Sequence, residues 1–464
     1  MASDTLARMF WDRVERSAAT PAQQFKTGGV WKTITWREVG DVVRELALGL
    51  IALGRQKGDA VALLSGSRAE WVQADFAIFS AGCVTVPVYP SYPPDLVAYV
   101  VNDSGARTIV VEDPAQLAKV LEAQAQMPAL EHIVVMSGYD APQPPKKVLT
   151  WETLRRLGRD HEAAHKSTLA ERVAGTQAGD LATIVYTSGT TGPPKGVMQT
   201  HGNHIAAVTA SKQATPVEEG WVHLLFLPLA HSFARLESFL GVAHGLTTAF
   251  AENLDRVGDN LKETRPHFIC SVPRVFEKVY AKILAGVEAG SPVKKKIFHW
   301  AVSVGRDVSR HQQRGQPVPA GLEWKRKIAH KLVFSKLHTA LGGRLVWAVS
   351  GGAPLSRDRR RAALARYRRV LPRGGHPAAR GLRAHRDVPG AHVQPAGQVQ
   401  VRLGRPGPAG GRAPDRRRRR DPGEGAEHRH ARLLQAGPGD GRGVRAGRLV
   451  PHRRHRHDRP GRVP

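Results

Sequence analysis

Between residues 1 and 356, short apolar runs alternate with stretches of helical period, and this alternation does most to narrow what the chain can fold into. Val61-Ala62-Leu63-Leu64, Thr108-Ile109-Val110-Val111, Ile133-Val134-Val135 and Leu224-Leu225-Phe226-Leu227 read as buried strands. Between such runs, Val42, Val43, Leu46, Leu50 and Ile51 recur at helical spacing, and Gly54 stands where a helix should stop. The expected class is α/β, a large domain with helices packed on mostly parallel sheets. No repeat at solenoid period is evident.

The pattern ends abruptly after Ser356. From residue 357 to 464 there is no Lys, Ile, Phe, Trp, Met, Asn, Thr, Ser or Cys, and Arg, Gly, Pro, Ala and His dominate. Such a segment lacks the apolar side chains that offset the entropy of ordering, so an Arg/Gly/Pro-rich disordered tail is expected. The two parts also divide the charge. Of the net +29, the tail holds +21, from 29 Arg against 8 acidic residues, and residues 1–356 hold +8. The larger part therefore has an ordinary surface, and only the tail suggests a polyanion. An RNA-binding reading would rest on Arg416–Arg420, but Tyr367 is the one aromatic residue besides His in that segment, so no specific nucleic-acid partner is expected.

A chain of 464 residues is long enough for more than one structural unit. The expected division is a domain over 1–356 and a basic tail over 357–464. Cys83 and Cys270 form neither a disulfide framework nor a metal-ligand spacing, so small buried apolar roles and a reducing compartment are expected. The first residues carry early charges and no long apolar core, which excludes a signal peptide or membrane span there and makes the cytoplasm the expected location.

The most informative stretch is IVYTSGTTGPPKGV, residues 184–197. A strand is expected to end at Tyr186, and a run of hydroxyls and glycines follows: Thr187, Ser188, Gly189, Thr190, Thr191 and Gly192. Glycines let the backbone approach an anion closely, main-chain N–H groups and hydroxyls donate to phosphate oxygens, and Lys195 adds a mobile cation. Two prolines precede the lysine, so this is not a Walker P-loop, which needs Gly-Lys followed by Ser or Thr. The plain alternative is a flexible turn between a strand and a helix beginning near Asn203.

In length and order the string resembles the signature of the acyl-adenylate-forming superfamily, whose loop holds the β- and γ-phosphates of ATP. Residues 227–235, LPLAHSFAR, resemble an element of fatty acyl-CoA ligases. That likeness puts His231 and Arg235 beside the acyl substrate, whereas a lone His near apolar residues is more often packed or capping. Residues 272–278, VPRVFEK, resemble an element of the long-chain branch and otherwise read as a helix start. Residues 349–355, VSGGAPL, resemble the strand and turn lying against adenine and the acyl carbonyl, which makes Ser350, Gly351, Gly352, Ala353 and Pro354 candidate nucleotide contacts; paired glycines also suit a plain tight turn.

The resemblance covers nearly all of residues 1–356 and implies a long-chain fatty acid–CoA ligase. In such an enzyme a fatty carboxylate attacks the α-phosphorus of MgATP to give acyl-AMP and pyrophosphate, and CoA then displaces AMP. The expected partners are a fatty acid, ATP and CoA. Mg²⁺ would be carried by ATP with one or two protein oxygens, Thr187 and Thr190 being candidates. Another acid–thiol ligase or an acyl-AMP ligase is the runner-up. A fatty substrate is compatible with peripheral membrane association, although no amphipathic helix stands out in the sequence.

The resemblance also gives the tail an explanation: out-of-frame translation. Read one base later, suitable codons for residues 381–389 encode GYGLTETSP, which this family carries shortly after SGGAPL. Read likewise, 427–435 can encode NIxMLGYYK, 438–445 PETAEAFE, and 449–463 WFHTGDIGTIDPDGF. These are ordered family segments in a single frame, with the break near residues 356–360. By analogy the chain then lacks the Glu that helps hold Mg²⁺, the Tyr beside adenine, the Asp on the ribose and the C-terminal lid with its catalytic Lys. Little or no ligase activity is expected from the polypeptide as translated.

Overall fold

The computed structural model describes residues 3–140, 147–187, 192–215 and 217–351, and the backbone of 399–402. All of them fall in one compact unit, Met1–Gly407. The strands are β1 (Pro21–Thr27), β2 (Val30–Thr35), β3 (Ala60–Leu64), β4 (Val84–Val88), β5 (Thr108–Val111), β6 (His132–Val135), β7 (Val148–Thr150), β8 (Leu181–Thr187), β9 (Lys195–Thr200), β10 (Val222–Leu225), β11 (Thr247–Phe250), β12 (Phe268–Ser271), β13 (Trp347–Ser350) and β14 (Val399–Arg402). The helices are α1 (Leu6–Arg16), α2 (Trp36–Ala52), α3 (Ala69–Ser80), α4 (Pro94–Ser104), α5 (Pro114–Glu122), α6 (Trp151–Ala164), α7 (Thr168–Gly175), α8 (His201–Ala214), α9 (Ser232–His244), α10 (Val257–Thr264), α11 (Pro273–Glu288), α12 (Pro292–Gln313), α13 (Ala320–Ala329) and α14 (Ser335–Ala340).

Two sheets organise these elements. One runs β7-β6-β5-β3-β4-β8-β9 and the other β14-β13-β12-β10-β11-β1-β2. Every internal pairing is parallel, and the antiparallel pairs are β8–β9, β1–β2 and β13–β14, so the mostly parallel α/β expectation holds. The continuous apolar strands follow from this, because a parallel strand is covered on both faces. The main core gathers residues of both sheets, such as Leu63 and Leu224, around α1, α2, α3 and α9. A second core lies where Val97, Val101, Leu117 and Val120 meet Ala62, Ile109 and Ile133. A third joins Phe298 and Val302 of α12 to Ala329 and Phe334.

Three of the strands read from sequence lie where expected, in β3, β5 and β6. The fourth is Val222–Leu225, so Phe226 and Leu227 fall past its end, in the turn towards α9. Helix α2 matches its apolar spacing. Thr35 and Glu38 form a capping box at its start, and Gly54, just beyond the C-cap, has φ +82°. Both cysteines are buried, and desolvation pushes the Cys83 thiol up to about 12. Of the tail, only the backbone of Val399–Arg402 is described, pairing antiparallel with β13 from Trp347↔Arg402 to Ser350↔Val399. The composition argument counts side-chain burial, whereas an edge strand needs only unpaired backbone groups on its neighbour. The rest of the tail lies outside the described residues.

His201, at the start of α8, is buried against Phe79, and its Nδ1 accepts the Leu6 N–H at 3.3 Å. Burial pushes its pKa from 6.5 down to about 4, so the folded chain holds a neutral ring. Stability from this group is fully present above pH 6.5 and declines as the pH falls towards 4, because the unfolded chain takes up a proton that the folded one refuses. We expect unfolding midpoints to drop across that window, with His201→Gln flattening the drop. Chemical denaturation at a series of pH values measures this, and equal pH slopes for the two proteins would contradict it.

Candidate functional site

The Ser/Thr/Gly string closes a hairpin. β8 and β9 pair antiparallel from Leu181↔Thr200 to Thr187↔Lys195, so residues 188–194 form the connection. The expected helix does not follow the loop directly: β9 intervenes, β8 extends through Thr187, and α8 starts at His201. A hydroxyl–glycine loop that returns as a strand leaves the same local signal as one leading to a helix, which is why sequence alone missed the hairpin. Thr187 and Lys195 face each other across its mouth, both exposed. Gly192 takes φ +90°. Ser188, Gly189, Thr190 and Thr191 lie outside the described residues.

Helix α4 holds this hairpin from below the loop. Tyr99 donates its hydroxyl to the Pro194 carbonyl at 3.0 Å, and Tyr186 donates to Asp103 Oδ2 at 2.6 Å. Burial, with the Asp103 carboxylate beside it, pushes the Tyr186 phenol well above its ordinary range, so it stays a donor. One phenol thus fixes the last strand turn before the loop and the other fixes the residue just before Lys195. Neither Tyr99 nor Asp103 was singled out from sequence, because nothing in the spacing of α4 marks a long-range partner.

The LPLAHSFAR segment is the turn from β10 into α9. Ser67, in the loop after β3, donates to the Leu227 carbonyl at 2.7 Å and accepts the Leu229 N–H at 2.9 Å, tying this turn to the other sheet. His231 is the N-cap of α9. It is exposed, and its Nδ1 accepts the Phe233 N–H at 3.3 Å, the capping role that the residue type suggested.

Arg235 departs from its expectation. It is 1 % exposed, and its guanidinium pairs with Asp75 Oδ1 at 2.5 Å and donates to the Thr183 hydroxyl of β8. Trp71, Phe79 and Phe239 enclose it, with ring centroids 5.5 to 5.7 Å away. Burial pushes the Asp75 carboxyl up while the guanidinium beside it pulls it down. Arg235 therefore ties α9 to α3 and to the strand that carries the loop, rather than presenting its charge to a cleft. The sequence signal existed: an aspartate inside the apolar run WVQADFAIF must find a partner if that helix is buried.

The third segment joins the second. Ser350 is the last residue of β13, Cα partner of Ser271 in β12, and the Gly351 N–H donates to the Ser271 carbonyl at 3.1 Å. A Cβ on Gly351 would lie 2.9 Å from the Phe233 ring, so a larger residue there would have to push that ring off the first turn of α9. The structure thus brings Ser350 and Gly351 to the turn carrying His231. Both Ser271 Oγ and Ser350 Oγ are buried without a hydrogen-bond partner among the described residues. Ser271 also lines an apolar cavity of about 30 Å³ with Phe226, Ile269, Val275, Phe276 and Leu341. That space suits a water or two, so an acyl chain enters only if these side chains move. Gly352, Ala353 and Pro354 lie outside the described residues. The VPRVFEK stretch is a helix start, Val272 capping α11 with Pro273 as its first residue. Among the described residues no group of three His, Cys, Asp or Glu side chains forms a metal cage.

Comparison with known proteins gives three findings. The family profile described as AMP-binding enzyme matches residues 10–375. Long-chain-fatty-acid–CoA ligase FadD15 of Mycobacterium bovis is 35% identical over 354 residues, covering 76% of this chain and 57% of that protein. Long-chain-fatty-acid–CoA ligase ACSBG2 of Xenopus laevis is 31% identical over 366 residues, covering 76% of this chain and 48% of that one. The chain thus spans about half the length of these relatives. Among solved structures, the anthranilate CoA ligase AuaEII in complex with anthranoyl-AMP superposes with a TM-score of 0.53 at 21% identity, over 60% of this chain and 51% of that one, a likeness of fold.

Proposed function

The chain belongs to the AMP-binding enzyme family, and on that footing we propose that its gene encodes ATP-dependent activation of a long-chain fatty acid, first to acyl-AMP and then to acyl-CoA. The observation that carries this reading is the β8–β9 hairpin, whose mouth presents the Thr187 hydroxyl opposite the Lys195 ammonium on a strand braced by α4. A loop of amides and hydroxyls closed by one mobile cation suits the polyphosphate of ATP, and positioning plus charge neutralisation is most of what phosphoryl chemistry asks of a protein. The loop contacts are Thr187, Ser188, Gly189, Thr190, Thr191, Gly192 and Lys195. On this reading Ser350, Gly351, Gly352, Ala353 and Pro354 serve the adenine and His231 the acyl group.

Mg²⁺ fits this site only as a passenger on the triphosphate, since the described residues offer hydroxyls rather than an acidic cage. There it would neutralise charge between phosphates, with Thr187 or Thr190 adding an oxygen. The Ser271 hydroxyl, buried without a partner among the described residues and lining the apolar cavity, favours a polar end of the substrate there. CoA is the co-substrate, and a cytoplasmic location, peripheral at the membrane, goes with a fatty substrate. The segment 357–464 is, on this reading, an out-of-frame product that replaces the remainder of the family's fold and its lid, leaving the chain inactive or strongly impaired. Another acid–thiol ligase or acyl-AMP ligase is the second reading.

Nucleotide binding tests the core of the proposal without requiring turnover. We expect the chain to bind ATP, and Lys195→Ala to weaken it roughly tenfold to a hundredfold, the loss of one charge-assisted contact to phosphate. Calorimetric titration of both proteins measures it. Equal affinities, or no binding by the parent, would remove the phosphate loop from the reading.

A further inference from the structure

Helices α13 and α14, joined through the π turn His330–Phe334, form one continuous helical stretch. Its inner face buries Ala329, Val333 and Phe334 against Phe298 and Val302. The opposite face exposes Trp324 at 65 % and Leu332 at 44 %. Around them Lys325, Lys327, Lys331 and Lys336 are exposed as well. Residues 324–340 contain no Asp or Glu, and the nearby Glu323 is taken by Arg326. Among the described residues none of the four lysines forms an ion pair.

A single exposed apolar side chain is ordinary on a protein surface. A tryptophan and a leucine set among four unpaired lysines is a different matter, because the two components ask for one partner that is anionic at its surface and apolar just beneath. We propose that this outer face lies on an anionic lipid surface, with Trp324 and Leu332 at headgroup depth and the lysines on lipid phosphates. Tryptophan belongs at that depth through its apolar body and polar N–H. Lysine stems run along apolar surface while the ammonium stays with the charge. An interfacial helix of this kind lies in the plane of the membrane, and no described helix is long and apolar enough to cross one. Nucleic acid is the weaker partner, since Leu332 finds nothing there and the one arginine of the stretch is held by Glu323. The inference deepens the peripheral location proposed above by naming the surface that makes the contact.

The test must read Trp324 itself, because the segment 357–464 carries +21 and would hold anionic vesicles by charge alone. Fluorescence of the full chain is compared with that of Trp324→Phe, which isolates this residue from the other eight tryptophans. On vesicles of phosphatidylglycerol and phosphatidylcholine, the difference signal is expected to shift to the blue and to be quenched by brominated acyl chains. Lys327→Gln/Lys331→Gln, with its fold checked by circular dichroism, is expected to weaken that signal's partition about 25-fold, at about fivefold per lysine. A Trp324 signal unmoved by vesicles, or moved by single-stranded RNA and not by lipid, overturns the proposal. ATP binding at Lys195 is a separate measurement, so either reading can fail while the other stands.

Discussion

A frame-restored version of this protein is expected to incorporate labelled long-chain fatty acid into acyl-CoA at least about 10³ times faster than the chain as translated. The size of the effect follows from what the two proteins hold in common. Both contain the β8–β9 hairpin, the braced turn into α9 and the end of β13, so on the proposed reading both receive a triphosphate. Only the restored chain would carry the acidic metal contact, the ribose contact and the lid lysine that the family resemblance implies. General acid–base and electrostatic groups each contribute about 10²–10⁴ in rate, so losing several leaves binding without turnover. The composition of residues 357–464 supports the premise for one of these groups, since a segment with no Lys cannot supply the lid lysine. The comparison needs two purified proteins and one assay. Equal rates would end the expected inactivity, while the frame itself is settled by resequencing codons 350–365.

The second large effect is on stability. Arg235→Ala is expected to cost about 3–5 kcal/mol of unfolding free energy, because it leaves the buried Asp75 carboxylate without its counter-charge and opens a void among Trp71, Phe79 and Phe239. Asp75→Ala should cost a similar amount by stranding the guanidinium. The double replacement Asp75→Leu/Arg235→Met is expected to recover much of the loss, since apolar groups of similar volume need no partner there. Denaturant midpoints for the three variants measure the coupling. Single losses below about 1 kcal/mol, or losses that simply add, would show that the pair does not hold this junction. Because Arg235 also donates to Thr183, the same variants are expected to loosen β8 and weaken ATP binding beyond the change in folded fraction.

How much of this was legible in advance depended on whether the signal was local. Strands β3, β5 and β6 were visible because strands covered on both faces read as unbroken apolar runs. Helix α2 was visible because one face is wet and its caps are standard. Helix α3 gave no such pattern. Residues 71–80 are all buried between the sheets, so the helix has no polar face to mark its period. The hydroxyl–glycine loop marked a candidate phosphate site, but not the strand that returns from it, nor the two tyrosine contacts that hold it.

Composition, order of residues and local period therefore determined the α/β class, the family and the change of character after Ser356, and marked the hydroxyl–glycine loop as a candidate. Each of these is written in neighbours along the chain. Tertiary structure alone decided that Arg235 pairs with Asp75 in the core, that Gly351 rests on Phe233, and that Trp324 stands outward among lysines. Those outcomes depend on which distant surfaces meet and which are left in water: an aspartate in an apolar run signals that it needs a partner, but nothing in its spacing says which residue, 160 positions away, supplies it.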